Sequence, residues 1–339
     1  MTIKDLAAQT GYSVGTISRV LNDRPNVSSK AREAILAAVE ASGFQLNINA
    51  KQLKQQQTDT ILVLVKGSGN ELFGSLLETI QRRIMATRYP LVVDYMDEDR
   101  NEVQRALQLF REKKPRGILF LGGNKDNFTH GFSQITVPCV MVTSDASGLP
   151  HSNLSSVVSD DRLGANLAIR HLLDLGHRHI GVIGGSQATS DTSRLRYLGC
   201  LDAFRDSGLH FDEAADYRWG RFSYADGYQA AAELLRQPNP PTAIFAMADV
   251  MAIGAIRAIR DAGLRVPEDV SVVGYDGLVL GEYFVPKLAT ICQNVELLAD
   301  RSVDLLLSQV DHSGAPQHET VPVTIRAAES AQPPTVRSE

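Results

Sequence analysis

Between residues 60 and 290 the chain repeats one device: a short apolar run, an amphipathic stretch of helical spacing, then another run. Runs at 60–65, 91–94, 117–121 and 137–142 form one series; 179–184, 242–246 and 269–274 open a second. Continuous apolar strands separated by helices belong in parallel sheets covered on both faces. Two series of similar size predict two stacked Rossmann-like lobes, a repeat of pattern rather than of sequence. In open α/β sheets ligands sit beyond the carboxyl ends of the strands, so both lobes are expected to aim loops at one cleft.

The N-terminal stretch belongs to neither series. Residues 2–11 read as a short helix with Thr2 as N-cap and Gly11 as its stop. Tyr12 bridges a tight turn to Ser13, which can cap a second helix over 13–22. Two short helices across a Gly-containing turn make a helix-turn-helix, whose second helix enters the DNA major groove. At about 100° per residue, Ile17, Val20 and Leu21 cluster to pack on Ile3, Leu6 and Ala7. Gly15, Ser18, Arg19 and Asn22 fall on another side that stays polar or small. Arg19 can present two parallel donors to guanine O6 and N7, while Ser13, Thr16 and Ser18 suit phosphates or base edges. The plainer alternative is an amphipathic helix with a solvated face; the tight spacing of the two helices favours the groove reader. A third helix is expected over 28–42, with Ala31, Ile35, Ala38 and Val39 at helical spacing, Gly43 ending it and Phe44 packing back. The polar stretch that follows, to Thr58, could not hold a helix as an isolated peptide and reads as a linker that orders on a partner.

Ile3-Lys4-Asp5-Leu6-Ala7, the run from Thr16 through Ile17, Ser18, Arg19, Val20 and Leu21 to Asn22, and then Val27, Ser28 and Arg32 resemble the LacI/GalR family of bacterial transcription regulators. The resemblance continues through nearly the whole chain. It implies an α/β fold: an N-terminal three-helix helix-turn-helix head plus hinge, then a two-lobed, Rossmann-like, periplasmic-binding-protein-like core. The head would span 1–45 and the hinge helix or linker 46–58. The core N-subdomain would take 59–160 and 291–321, and the C-subdomain 161–290 and 322–339, with an effector cleft between the lobes. In the family the hinge becomes helical on the operator and a Leu from each subunit wedges into the minor groove. Leu53 matches that position, Ala50 lies one turn earlier, and Lys54 follows as a phosphate contact. Opening one base step costs a few kcal/mol, offset by the bend and the contacts it permits. The chain departs from the family pattern where Phe44-Gln45-Leu46-Asn47 replaces the frequent Tyr-x-Pro-Asn and Lys51 replaces Arg. Losing the Pro removes a fixed entry angle, and Lys exchanges a rigid fork for a point charge. Val14 and Gly15 stand where members vary to choose operators; neither carries a hydrogen-bonding side chain, so an operator unlike those read by larger polar residues is expected.

The same resemblance implies the effector contacts. Phe73 matches an aromatic contact after the first strand. Ser193-Arg194-Leu195-Arg196-Tyr197-Leu198-Gly199 is similar to the family's Ser/Thr-x-x-Arg-x-x-Gly segment, with Arg196 as polar clamp and Arg194 as second candidate. Phe222 matches an aromatic that stacks on a flat ring or sugar face, Asp249 follows Ala248 where the family usually has Asn, and Asp276 completes the set. Arginine, carboxylates and aromatic faces suit a polyhydroxyl or heterocyclic ligand. Taken without the family, Phe73 and Phe222 read as core, Asp249 as a helix cap and Asp276 as a turn residue. His171, His177 and His179 invite a metal reading, but their segment matches a structural loop of the family, and no metal or other cofactor is expected.

Charge placement agrees with a DNA-binding head. Residues 1–57 hold seven Lys or Arg against four acids, a net of +3, which leaves −8 for the rest of a chain whose total is −5. A basic head on an acidic body directs the head toward phosphate. Absence of a signal peptide or membrane-length apolar run argues for the cytoplasm and no membrane partner. Cys139, Cys200 and Cys292 lack metal or redox spacing and read as buried, reduced packing residues. No nucleotide-binding glycine pattern, P-loop or nucleophile elbow supports catalysis. A nucleotide-dependent enzyme and a free sugar-binding protein are the rival readings; the second would need a signal peptide. The expectation is therefore a homodimeric repressor, not an enzyme, that binds a pseudo-palindromic operator and answers to a small-molecule effector, a carbohydrate first and a nucleoside or purine second. The tail after about Ser330 lacks apolar patterning and is expected to fray, and no C-terminal Leu heptad calls for a tetramer.

Overall fold

A computed structural model describes residues 3–21, 27–42, 58–67 and 70–335. The chain divides after Thr58 into two compact units. The first contains α1 (Ile3–Thr10), α2 (Val14–Leu21) and α3 (Ser29–Ser42). Leu6, Ile17, Val20 and Ile35 form its buried centre, with Ala7, Leu21, Ala38 and Val39 packed round them. Gly11 turns the chain out of α1 at φ 72°, a left-handed conformation that glycine adopts without steric cost. Ser13 Oγ accepts the Thr16 amide at 3.1 Å and Ser28 Oγ accepts the Ala31 amide at 3.3 Å. Both serines therefore cap their helices from just outside, and each helix starts one residue later than expected. Thr2, Asn22, Gly43, Phe44 and hinge residues 46–57, with Ala50, Lys51, Leu53 and Lys54, lie outside the described residues.

The second unit holds two six-stranded sheets. In the first, β1 (Ile61–Lys66), β2 (Leu91–Met96), β3 (Gly117–Leu121), β4 (Cys139–Val142), β5 (Leu154–Ser159) and β11 (His318–Val321) run parallel in the order β11-β5-β4-β3-β1-β2. Strand alternation explains the apolar runs. Ile61, Val63 and Val65 face a cluster shared with α4 (Glu71–Met85) and α13 (Val295–His312). Leu62 and Leu64 face the opposite cluster with Val103 and Leu109 of α5 (Glu102–Lys113) and the rings of Phe120, Phe128 and Phe132.

The second sheet orders β12-β10-β9-β8-β6-β7, from β6 (Ile180–Gly184), β7 (Tyr217–Trp219), β8 (Ala243–Ala246), β9 (Ser271–Asp276), β10 (Ala289–Gln293) and β12 (Val323–Arg326). Only β12 is antiparallel to its neighbour. One face is covered by α7 (Asp161–Asp174) and α8 (Asp191–Asp206), the other by α10 (Tyr224–Leu235) and α11 (Asp249–Asp261). The last two helices touch at glycines: a Cβ at Gly227 would collide with Met251 backbone, and one at Gly254 with Tyr224 backbone.

The chain passes between the lobes three times, from β5 into α7, from β10 into α13 and from β11 into β12. Ser159 Oγ donates to Gln293 Oε1 at 2.6 Å and so ties the first passage to the second.

Two expectations are corrected here. The tail does not fray at Ser330: the Ser330 hydroxyl donates to Val272 O at 2.7 Å and accepts the Ala289 amide at 2.8 Å. Gln332 O accepts from His177 Nε2 and Ser271 Oγ, and Thr335 Oγ1 donates to Glu268 O, so the segment is pinned by polar bonds that apolar patterning does not reveal. Cys139 and Cys200 are buried as expected, but Cys292 is only half-buried.

Candidate functional site

In the head, α2 buries Ile17 and Val20 and turns the rest of its surface outward. Ser13, Val14, Gly15 and Arg19 are exposed, while Thr16 and Ser18 are half-buried. The Ser13 and Thr16 hydroxyls bond each other at 2.9 Å, which fixes both at the start of the helix. A side chain grafted at Gly15 would meet nothing closer than Ser13 Oγ at 3.7 Å, so the surface there is open. Arg19 is in the last turn of α2 and makes no ion pair among the described residues.

The second unit encloses a cavity of about 810 Å³, within the 300–1,000 Å³ or so of small-molecule sites. Its wall collects residues at or just past the carboxyl ends of strands in both lobes: Lys66, Asp97, Gly122 and Thr143 from the first, Gly185, Trp219 and Asp276 from the second. Of the four non-glycine residues with positive φ among those described, Lys114 and Ser313 are helix C-caps. The other two, Thr143 at φ 70° and Asp276 at φ 118°, both line the cavity. A β-branched residue and an aspartate held there carry local strain, which concentrates at ligand sites.

Arg196 is the buried centre of the second lobe's contribution. α8 starts at a Ser190 cap and carries Arg196 inward, where only 4% of it is exposed. Its Nε donates to Asp161 Oδ1 at 2.8 Å, its Nη1 donates to Met247 O and lies 3.9 Å from Asp276 Oδ1, and its guanidinium stacks 3.5 Å from the Tyr275 ring centroid. Nη2 makes no hydrogen bond among the described residues. Burial works against the guanidinium charge, but Asp161, Tyr275 and Asp276 outweigh it and keep the charge firmly in place. Asp276 accepts from Gln293 Nε2 at 2.8 Å. Burial pushes its carboxyl up to about 6, against the opposing pull of Arg196 and Gln293, so it is mostly ionised at neutral pH.

The first lobe offers Phe73, 8% exposed and packed under Gly122, and an ion pair between Lys66 Nζ and the fully buried Glu102 at 2.6 Å. Glu102 also accepts from the Asn124 amide at 2.6 Å and Asn127 Nδ2 at 2.9 Å. Phe222 lies opposite, half-buried against Gly185. Groups from the two lobes meet across the mouth: Arg221 pairs with Glu98 at 3.1 Å and Asp99 at 2.5 Å, and the Tyr224 hydroxyl donates to Glu71. Lys66, Arg196 and Arg221 are thus each matched by carboxylates, and Arg100 is the one lining cation without an ion pair among the described residues.

The chain matches the model for bacterial regulatory proteins of the lacI family over residues 2–47 and that for a periplasmic binding protein-like domain over 169–330. It is 32% identical over 330 residues to the HTH-type transcriptional repressor PurR of Haemophilus influenzae strain PittEE, covering 95% of this chain and 96% of that protein. It belongs to the lacI family. Among solved structures, the lac repressor dimer bound to operator and the anti-inducer ONPF superposes with a TM-score of 0.79 at 28% identity, over 98% of this chain and 99% of that one. The transcriptional regulator CelR in complex with cellobiose gives 0.71 at 28%, over 98% and 100%. As a lacI-family member the chain is a DNA-binding transcriptional regulator with an effector-binding core, not an enzyme.

Within this regulator Phe73, Arg196, Phe222 and Asp276 line one cavity, and Arg194 and Asp249 do not. Arg194 turns outward to Asp191 at 2.9 Å, about 200° round the helix from Arg196. Asp249 is fully buried behind the wall, accepting from Thr290 Oγ1 and from the Leu278 amide at 2.7 Å. It is the first residue of α11 rather than its cap; Ala248 occupies the cap position and supplies no side-chain bond. Burial, with Asp276 close by, pushes the Asp249 carboxyl up to about 8, against the opposing bonds from Thr290 and Leu278. His177 and His179 are held by Thr242, Gln332 O and Asp216, and no metal-binding group of side chains occurs among the described residues. Lys66, Glu102, Thr143, Trp219, Arg221 and Tyr224 were not singled out from the sequence; the rule that ligands sit at strand ends would have reached Lys66, Thr143 and Trp219. No helix among the described residues is long and apolar enough to cross a membrane.

Proposed function

We propose that this regulator is a cytoplasmic repressor that binds a pseudo-palindromic operator as a homodimer, and that a neutral carbohydrate in the interlobe cavity sets its grip on DNA. The charge matching of the lining carries the effector reading. With Lys66, Arg196 and Arg221 already paired, Arg100 is the one lining cation among the described residues left for a phosphate or carboxylate, whereas hydroxyls, amides, ionised Asp276 and aromatic faces remain for a polyol. The cellobiose held by the related CelR supports the same class. Arg196 and Asp276 serve as polar anchors and Phe73 and Phe222 as ring faces, while Arg194 and Asp249 act only through their neighbours.

On the DNA side, Ser13, Val14, Gly15, Thr16, Ser18, Arg19 and Asn22 read the groove, and Leu53 wedges the minor groove with Ala50 and Lys54 beside it. The working division is a head over 1–45, a hinge over 46–58, and lobes that exchange chain near 160, 291 and 322. Val279, Tyr283 and Val285, exposed apolar residues within seven positions of one another on the second lobe, suit a subunit contact. The effector shifts operator affinity only by its differential affinity for two lobe arrangements.

Selection of duplexes from a random pool by the full-length protein tests the reading. Enriched sequences should be inverted repeats with half-sites about one helical turn apart, and their affinity should change when neutral saccharides are added. Enrichment without dyad symmetry removes the dimer; response to hypoxanthine or guanine but to no saccharide replaces the carbohydrate.

A further inference from the structure

The cavity wall holds one residue that burial does not explain. Trp219 ends the edge strand β7, lines the cavity, and is 71% exposed. Two residues earlier, Tyr217 is buried, and its hydroxyl donates to Gly185 O at 2.6 Å. Trp219 pairs with Gly184 in the sheet register, and Gly220 then bonds Gly184 O at 2.9 Å, so the backbone beneath the indole is anchored. Arg221 and Tyr224 continue the same rim, and across the mouth the loop from Asp97 to Asn101 offers carboxylates and an amide. An indole offers a broad apolar face with a single donor, the residue type that covers a sugar ring while its edge stays wet.

The space fits more than one ring. A hexose of roughly a dozen non-hydrogen atoms is small for a cavity near the upper end of the usual 300–1,000 Å³ or so, here about 810 Å³. Arg196, Asp276, Phe73 and Phe222 include the more buried part of the lining, whereas Trp219 marks its exposed edge. We infer that Trp219 is the platform of an outer subsite, and that the effector is a saccharide of at least two units whose second ring stacks there. This rests on the carbohydrate reading of the cavity and adds its chain length.

Trp219 is the only tryptophan of the chain, so tryptophan emission, excited beyond the absorption of tyrosine, reports on this position alone. The experiment titrates the full-length protein with glucose, galactose and ribose, and with cellobiose, maltose and lactose. Thermal shift scores binding, and tryptophan emission with acrylamide quenching scores contact. A disaccharide that binds should shift the emission to the blue and protect it from acrylamide, while a monosaccharide that binds should leave both nearly unchanged. Trp219→Ala should weaken the disaccharide about tenfold and spare the monosaccharide, with Trp219→Phe recovering part of the loss. A binding disaccharide that leaves Trp219 as open to acrylamide as before overturns the subsite alone, as does equal protection by mono- and disaccharides, which would signal lobe closure. A thermal shift with hypoxanthine or guanine and none with any saccharide overturns the carbohydrate reading, and the subsite falls with it.

Discussion

Arg196 shows how much one side chain can be asked to hold. It is buried with Asp161 at 2.8 Å and Asp276 at 3.9 Å, so removing it strands carboxylates away from water. Arg196→Met should cost about 3–5 kcal/mol, and adding Asp161→Asn should recover part of that loss. Denaturant melts of both variants check this; a double variant as unstable as the sum of the two singles would mean that Arg196 and Asp161 act independently. Asp249 makes a different prediction. Its carboxyl is raised to about 8 by burial, so the folded protein binds a proton there that the unfolded chain releases near pH 4. Its contribution is therefore fullest at acid pH and is lost as pH rises from about 4 through 8. Asp249→Asn keeps an acceptor for the Leu278 amide and can donate to Thr290, so it should flatten this decline by on the order of 1–2 kcal/mol between pH 6 and 8. Melting curves at both pH values decide, and an unchanged slope would place the ionised carboxylate in the fold at neutral pH.

Elements were legible to the degree that their burial was apolar. The runs that became β1, β3, β6 and β8 announce themselves because nearly every side chain in them is buried and nonpolar. β5 did not, because Ser155 and Ser156 sit at its buried centre, where Ser155 is satisfied by Gln309 Nε2 from 154 residues away. β10 hides in the same way, its buried Thr290 bonded to Asp249. Arg196 and Asp276 were reached through motif resemblance, whereas the Lys66–Glu102 and Arg221–Asp99 pairs join partners 36 and 122 residues apart, which no local pattern encodes. The C-terminal segment belongs with these. Ser330→Ala leaves Val272 O and the Ala289 amide without their buried partner and should cost about 1–3 kcal/mol, read as a lower denaturation midpoint. In the head, Ser13→Ala removes the cap of α2 and should cost about 0.5–2 kcal/mol. Amide exchange at Thr16 and Ile17 is the readout, and unaltered protection would show that packing of Ile17 alone holds the turn.

At the scale of the molecule, the exposed apolar residues Val279, Tyr283 and Val285 bear on assembly. Tyr283→Asp should shift sedimentation from dimer to monomer at micromolar concentration and weaken operator binding by far more than tenfold, since each head would then bind alone. Retention of the dimer would move the contact elsewhere. The three passages between lobes also set a timetable for synthesis. The first sheet cannot close until its edge strand, His318–Val321, has been made, and the second waits for Val323–Arg326 and the Ser330 anchor. The head needs only the first forty or so residues for its helices. At about 5–20 residues per second, a nascent chain carries a folded DNA reader for roughly 15–60 s before either lobe can finish. Where translation is coupled to transcription, each newborn reader is tethered near the genes it was made from, ungoverned by any effector until its last strands arrive.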